Sequence, residues 1–305
     1  MDISKKAYDM ALSNDDSLLC YSNSKKVCLW SMKSESILSS TNTSVIGLAF
    51  SEDSSEIMAI IEYPSSIVVY KTHQFDKPFF QYKFSTKFTP KAVYITNTNT
   101  LLVGCYDTIY YIDPDKNIVK SIYKTNDGSC SYITYHDSKL FVAFNRIASN
   151  VYKTTCVELK LSFNAEVSIE KIDVACPVVT EIETYDFTEN VEWCIETPKG
   201  EKYIALSGWH FSIYFIDRNG KMEKAYELDS MIERTFVSGN NSIAGIVLCE
   251  GEETTVKIMH LDRNVKQINE YKESGYVYYA AISGSGHYLL LPHSKNSKVI
   301  QILHQ

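Results

Sequence analysis

Residues Ala11 to Ser31 read ALSNDDSLLCYSNSKKVCLWS. An apolar run meets a polar turn at Asn14-Asp15-Asp16, a second apolar run follows, and a third closes on Trp30. The runs are too short for helices, and Asn, Asp and Ser tolerate the backbone angles of tight turns. The first half of this phrase returns six times: AFSEDSSEIMAI from Ala49, YITNTNTLLVGC from Tyr94, TYHDSKLFVAF from Thr134, IETPKGEKYIAL from Ile195, VSGNNSIAGIVL from Val237 and AISGSGHYLLL from Ala281. Its second half recurs as VVYK ending at Lys71, YYIDPD at Asp115, YFIDRNG at Gly220 and MHLDRN at Asn264.

First-strand starts near Ala7, Val45, Lys91, Cys130, Val191, Ile232 and Tyr276 are about 40 residues apart except for the 61 between Cys130 and Val191, and no 3.6-residue period accompanies them. Several strands per unit at this spacing predict an all-β, seven-bladed β-propeller of mostly four-stranded antiparallel blades. Because each blade buries its faces only against its neighbours, residues 1–305 are expected to form one domain. The expected blades are 7–44, 45–88, 89–128, 129–189, 190–230, 231–274 and 275–305, with the N-terminal residues closing the last. Asp2 to Lys6 are expected to pair with Lys298 to Leu303, since an open apolar edge invites aggregation. The fourth unit carries roughly 20 residues more than the others between Asn145 and Asn190.

The formal charge is −7, and lysines or arginines adjoin only in pairs such as Lys5-Lys6 and Lys25-Lys26. That pattern argues against a sequence-independent grip on nucleic acid or anionic lipid. MDISKKAYDM lacks the pattern of a signal peptide, and no apolar run approaches the length of a membrane span. The expected location is cytoplasmic or nuclear. The eight cysteines stand singly without a C-x-x-C, and read as buried free thiols.

Catalytic motifs are missing. Ser283-Gly284-Ser285-Gly286 fails the spacing of a nucleophile elbow and falls where other units turn. No phosphate-binding glycine loop, dinucleotide fingerprint or H-E-x-x-H is present, and the seven histidines are isolated. Neither an enzyme, a metal site nor a cofactor is expected.

In the order strand, S-x-D-x-S, strand, strand ending in W/Y/I-D, nearly the whole chain resembles the WD40-repeat family. The motifs are degenerate. Only Trp30 holds the family's tryptophan position, with Ser31 after it, while Asp113, Asp217 and Asp262 follow Ile112, Ile216 and Leu261. These three aspartates are expected at equivalent ends of third strands. The paired arginines of phosphoinositide-binding propellers are absent: Arg146 and Arg218 each stand alone.

The resemblance implies a non-catalytic scaffold for protein–protein interaction within a multiprotein complex. The alternative is a non-catalytic subunit that orients an RNA- or DNA-processing enzyme. Family topology implies that peptides dock on the rim shared by the second-to-third-strand loops, which here include Tyr63-Pro64, Tyr106, Asn145-Arg146 and Gly208-Trp209-His210. The stretch EIETYDFTENVEW, Glu181 to Trp193, alternates acids with apolar residues. Read as the linker between units four and five, it would set Tyr185, Phe187, Trp209, His210 and Arg146 in an aromatic patch ringed by Glu181, Glu183, Asp186 and Glu189. Such a patch would suit a basic peptide with apolar anchors. The competing reading makes the stretch an outer strand with a solvated acidic face.

Overall fold

In the computed structural model the described residues are 7–302, apart from 24, 96–97, 127, 149–150, 164–176, 209, 218, 239–240, 251, 263–264, 276, 278–279, 284–285 and 293–296. They form seven antiparallel sheets in chain order, with no helix among them. Blade 1 holds β1 (Asp9–Leu12), β2 (Leu18–Ser22), β3 (Val27–Ser31) and β4 (Ser36–Thr41). Blade 2 holds β5 (Gly47–Phe50), β6 (Glu56–Ile61), β7 (Ser66–Lys71) and β8 (Phe80–Lys83). Blade 3 holds β9 (Lys91–Tyr94), β10 (Leu101–Cys105), β11 (Thr108–Asp113) and β12 (Ile118–Lys124). Blade 4 has the longest strands: β13 (Ser129–His136), β14 (Lys139–Ala148), β15 (Val151–Ser162) and β16 (Val178–Phe187). Blade 5 holds β17 (Asn190–Glu196), β18 (Lys202–Ser207), β19 (Phe211–Ile216) and β20 (Met222–Leu228). Blade 6 holds β21 (Arg234–Val237), β22 (Ile243–Glu250), β23 (Glu253–His260) and β24 (Lys266–Ser274). Blade 7 has three described strands, β25 (Ala281–Ile282), β26 (Tyr288–Leu291) and β27 (Lys298–Gln301). This is the seven-bladed propeller that the repeats predict.

Where the phrase opens on a serine, the turn is built by that one side chain. In blades 1, 2, 6 and 7 it begins on Ser13, Ser51, Ser238 or Ser283, all buried. Each serine's amide donates to the carbonyl five residues on, at 2.9–3.0 Å, and its hydroxyl accepts the returning amide of Leu18, Glu56, Ile243 or Tyr288 at 2.9–3.1 Å. The fourth residue of each turn (Asp16, Ser54, Asn241, Gly286) has a positive φ of 54–79°, where short polar residues and glycine are least penalised. Asp15 and Asp53 brace blades 1 and 2 by accepting from the serines on either side. Blade 4 instead reverses through Asp137 and Ser138, both at positive φ, as a two-residue primed hairpin requires.

These turns set the register. The strand pairs Leu101↔Ile112 and Lys202↔Ile216 bring Asp113 opposite Thr100 and Asp217 opposite Glu201, the residues that close their turns. Those two aspartates are equivalent, as expected. Asp262 is not: Ile243 closes the blade 6 turn and faces His260, leaving Asp262 two residues farther on.

Seven apolar clusters hold the blades together, one between each adjacent pair. The ring closes where Met10, Leu12 and Leu19 of blade 1 meet Leu290 and Val299 of blade 7. Burying a side chain of this size contributes roughly 1.5–3 kcal/mol, so the seams are the main store of stability. Residues 2–6 and 303, on which the expected closing pairing falls, lie outside the described residues.

Candidate docking rim

First strands of neighbouring blades touch around the axis, β1 with β5, β9 with β13, β13 with β17 and β21 with β25. Alternating strand direction then separates the connections. First-to-second and third-to-fourth turns lie on one rim. Second-to-third loops and the linkers between blades lie on the other.

The first rim is engaged with itself. Asn14 Nδ2 donates to Glu52 O at 3.0 Å, Asn99 Nδ2 to Ser55 Oγ at 3.2 Å and Asn241 Nδ2 to Glu196 O at 3.0 Å, each bond spanning two blades. Between blades 4 and 5, Lys202 lies 2.6 Å from Glu158 and 3.4 Å from Glu183, while Lys139 lies 2.5 Å from Glu196. Burial opposes the charge on Lys202, but the bonds to Glu158 and Glu183 outweigh it and hold the ammonium above the usual lysine pKa. Lys71 of blade 2 pairs within its own blade with fully buried Glu56 and reaches across to the exposed Asp115 of blade 3. Leaving a buried carboxylate such as Glu158 without its lysine costs about 3–5 kcal/mol, so the Lys202–Glu158 and Lys139–Glu196 pairs read as staples between blades 4 and 5.

The second rim is the open one. Of the ten exposed large apolar side chains among the described residues, Ile46, Tyr63, Phe88, Tyr106 and Met231 lie here. Phe79 and Phe163 are on the first rim, and Ile37, Leu38 and Ile182 lie on outer strands. Phe88, in the linker from blade 2, stacks on Tyr106 in the blade 3 loop, with centroids 4.6 Å apart and planes at 21°.

The residues singled out from sequence fall differently. Glu181 to Phe187 belong to β16, the outer strand of blade 4, and only residues 188–189 link to blade 5. The linker reading therefore gives way to the outer-strand one. Period-2 alternation turns Tyr185 and Phe187 into the seam between blades 4 and 5, where both are half-buried; burial pushes the Tyr185 phenol pKa up. Glu181 and Asp186 are exposed, and Glu183 reaches Lys202. Asp186 accepts from Lys153 at 2.9 Å and Thr155 at 2.8 Å, bonds that lower its pKa. Arg146, on β14 opposite Lys153, is half-buried with no hydrogen-bond partner for Nε among the described residues. His210 Nδ1 lies 2.8 Å from Asp229 on the open rim. Trp209 lies outside the described residues. The fold thus does not gather Arg146, Tyr185, Phe187 and His210 into one exposed aromatic patch.

A chain of polar side chains crosses this sector. Thr154 donates to Asn145, Asn145 to Asn190 and Asn190 to Glu192, at 2.8–3.0 Å. Glu192 also accepts from Ser207 at 2.6 Å and from Thr235 of blade 6 at 3.1 Å. Glu192 stands where β17 bulges between Val191 and Trp193, and a bulge re-aims a side chain. These bonds join three blades, and make Glu192 a positioning residue for the rim. Among the described residues no group of three His, Cys, Asp or Glu side chains could hold a metal ion, and no helix is long and apolar enough to cross a membrane.

No protein-family model matches the sequence, and no curated protein matches it. Solved structures match its shape. A chain of the Kuenenia stuttgartiensis hydrazine synthase superposes with a TM-score of 0.71 at 12% identity, covering 97% of this chain and 96% of the other. The RRP9 WD40 repeats give 0.68 at 9% identity, covering 99% and 96%. A chain of the mitotic checkpoint complex gives 0.68 at 14% identity, covering 98% and 89%. With repeats, blade count and register in place, the likeness identifies the fold: a seven-bladed, WD40-type β-propeller whose repeat motifs have degenerated.

Proposed function

We propose that this protein is a non-catalytic docking platform that holds protein partners within a multiprotein complex, using the rim of second-to-third-strand loops and blade linkers. The carrying observation is the asymmetry of the two rims. One spends its polar and charged groups on turn-to-turn bonds and buried ion pairs, whereas the other presents large apolar side chains to solvent. Exposed aromatics on rigid loops are the usual source of interface affinity. The likeness to the RRP9 WD40 repeats and to a chain of the mitotic checkpoint complex supports the reading. The seven described cysteines are free thiols, which supports a reducing cytoplasmic or nuclear setting.

The test is lysine cross-linking on the tagged full-length chain, captured with its partners and mapped by mass spectrometry. Cross-links should concentrate on rim lysines such as Lys25, Lys83, Lys87 and Lys91. Cross-links confined to Lys116, Lys199 and Lys221 on the opposite rim would overturn the proposal.

A further inference from the structure

We infer that the sector of the open rim over blades 2 and 3 is a docking site for an acidic, extended peptide segment carrying an aromatic or aliphatic anchor. The inference deepens the docking-platform reading and rests on it. The apolar element is the Phe88–Tyr106 stack, 47% and 44% exposed, and Tyr63 in the blade 2 loop of the same rim is 74% exposed. Its backbone is fixed before any partner arrives. The Phe88 carbonyl accepts from the buried Ser65 hydroxyl at 2.7 Å and from the Cys105 thiol at 3.5 Å. The Tyr106 carbonyl accepts from Cys130 N at 2.7 Å, and Tyr106 holds a left-handed φ of 56°. A tyrosine in that region costs about 1–2 kcal/mol, which the surrounding bonds must sustain. A preorganised aromatic surface loses little conformational entropy on binding.

Charge identifies the partner. Lys83, Lys87 and Lys91 are exposed at the end of β8, in the linker and at the start of β9, and make no ion pair among the described residues. Lys124, 67% exposed, joins them at the end of β12, and shares Asp107 at 3.5 Å. Lys25 and Lys26 extend the sector over the neighbouring blade 1 loop. Among the described residues, Glu62 and Asp107 are the acids on these loops, both half-buried. On a chain whose net charge is −7, this local excess of cations steers carboxylates toward the stack. A peptide fits better than single-stranded nucleic acid. Phe88 and Tyr106 already cover one face of each other's ring, whereas a base-stacking platform offers open faces to successive bases. The cations are lysines, without the planar fork that grips phosphate bidentately.

The test uses the full chain and three fluorescent probes: a peptide alternating Asp and Glu with two Phe, its counterpart with Lys for each acid, and a short oligouridylate. The acidic peptide should bind most tightly, and salt should weaken it. Phe88→Ala should lower its affinity by about tenfold or more, and the surface pair Lys83→Glu/Lys87→Glu should do the same at low salt. The lysine pair decides the matter if Phe88→Ala impairs folding. Equal binding of the basic peptide, tighter binding of oligouridylate, no binding of the acidic peptide, or affinity unchanged in both variants would each overturn the inference. Affinity lost with Met231→Asp but not with Phe88→Ala would remove this patch and leave the rim reading standing. Affinity lost only with Lys116→Glu/Lys221→Glu, on the opposite rim, would remove both.

Discussion

The backbone N–H of Ala7 donates to the Ser297 hydroxyl at 3.0 Å across 290 positions of the chain. Both residues are fully buried, so the bond fastens the first blade to the last where the circle closes. Removing the acceptor leaves a buried amide unpaired, which costs about 1–3 kcal/mol. Ser297→Ala should lower the thermal midpoint by a few degrees without changing the shape of the transition. A midpoint equal to that of the wild type would mean that the packing of Met10 and Leu12 on Leu290 and Val299 closes the ring unaided.

The repeated turn makes a graded prediction. Ser51 Oγ accepts the amide of Glu56 at 2.9 Å in a buried setting, while the exposed Ser17 hydroxyl donates to its local aspartate Asp15. Ser51→Ala should therefore cost about 1–3 kcal/mol, and Ser17→Ala less than about 0.5 kcal/mol. Urea titration of the two variants checks the difference; equal costs would remove the buried serine from its structural role.

Asp9 predicts a dependence on pH. Burial lifts its carboxyl to about 7 from an ordinary 3.8, against the lowering effect of the backbone amides of Met10 and Leu48. The nearby Cys20 thiol is also pushed up by burial and stays neutral. Between pH 4 and 7 the folded protein keeps a proton that the unfolded chain has released, so this group's contribution to stability falls as pH rises through that window. Asp9→Asn should flatten that part of the curve and be more stable than wild type at pH 8. Parallel curves for the two proteins would show that Asp9 ionises normally.

Much of the architecture is legible in the chain because its determinants are local. Ser13-x-Asp15-x-Ser17 closes its turn with bonds that span at most five residues, and such spacing survives in a linear text. Asp262 is misread because the third strand of blade 6 enters the register two residues earlier than the motif suggests. The rim site is harder. Lys83, Lys87, Lys91 and Lys124 stand singly in the sequence, and only the fold collects them. Phe88 carries no signal of its own, since its partner Tyr106 comes from the next blade. Period-2 alternation in ETYDF tells which residues share a face, but not whether that face meets water or a neighbouring blade.

That last ambiguity leads to a prediction opposite in emphasis to the one an exposed patch would give. Tyr185 and Phe187 pack with Cys156, Val191 and Leu206 in the seam between blades 4 and 5. Tyr185 lies near the ionic staple formed by Glu183, Glu158 and Lys202. Truncating an aromatic in such a seam loses packing and opens a void, with full burial costing about 3–5 kcal/mol; half-burial should bring Tyr185→Ala to about 1–3 kcal/mol. The variant should melt earlier, and partner recovery should fall only in step with the folded fraction. Glu181→Lys, an exposed change on the same strand, should leave the midpoint nearly unchanged. If Tyr185→Ala kept the wild-type midpoint while partner recovery collapsed, the ring would be a contact rather than a structural wedge, and the acidic face of β16 would regain its claim as a second docking surface for a basic segment.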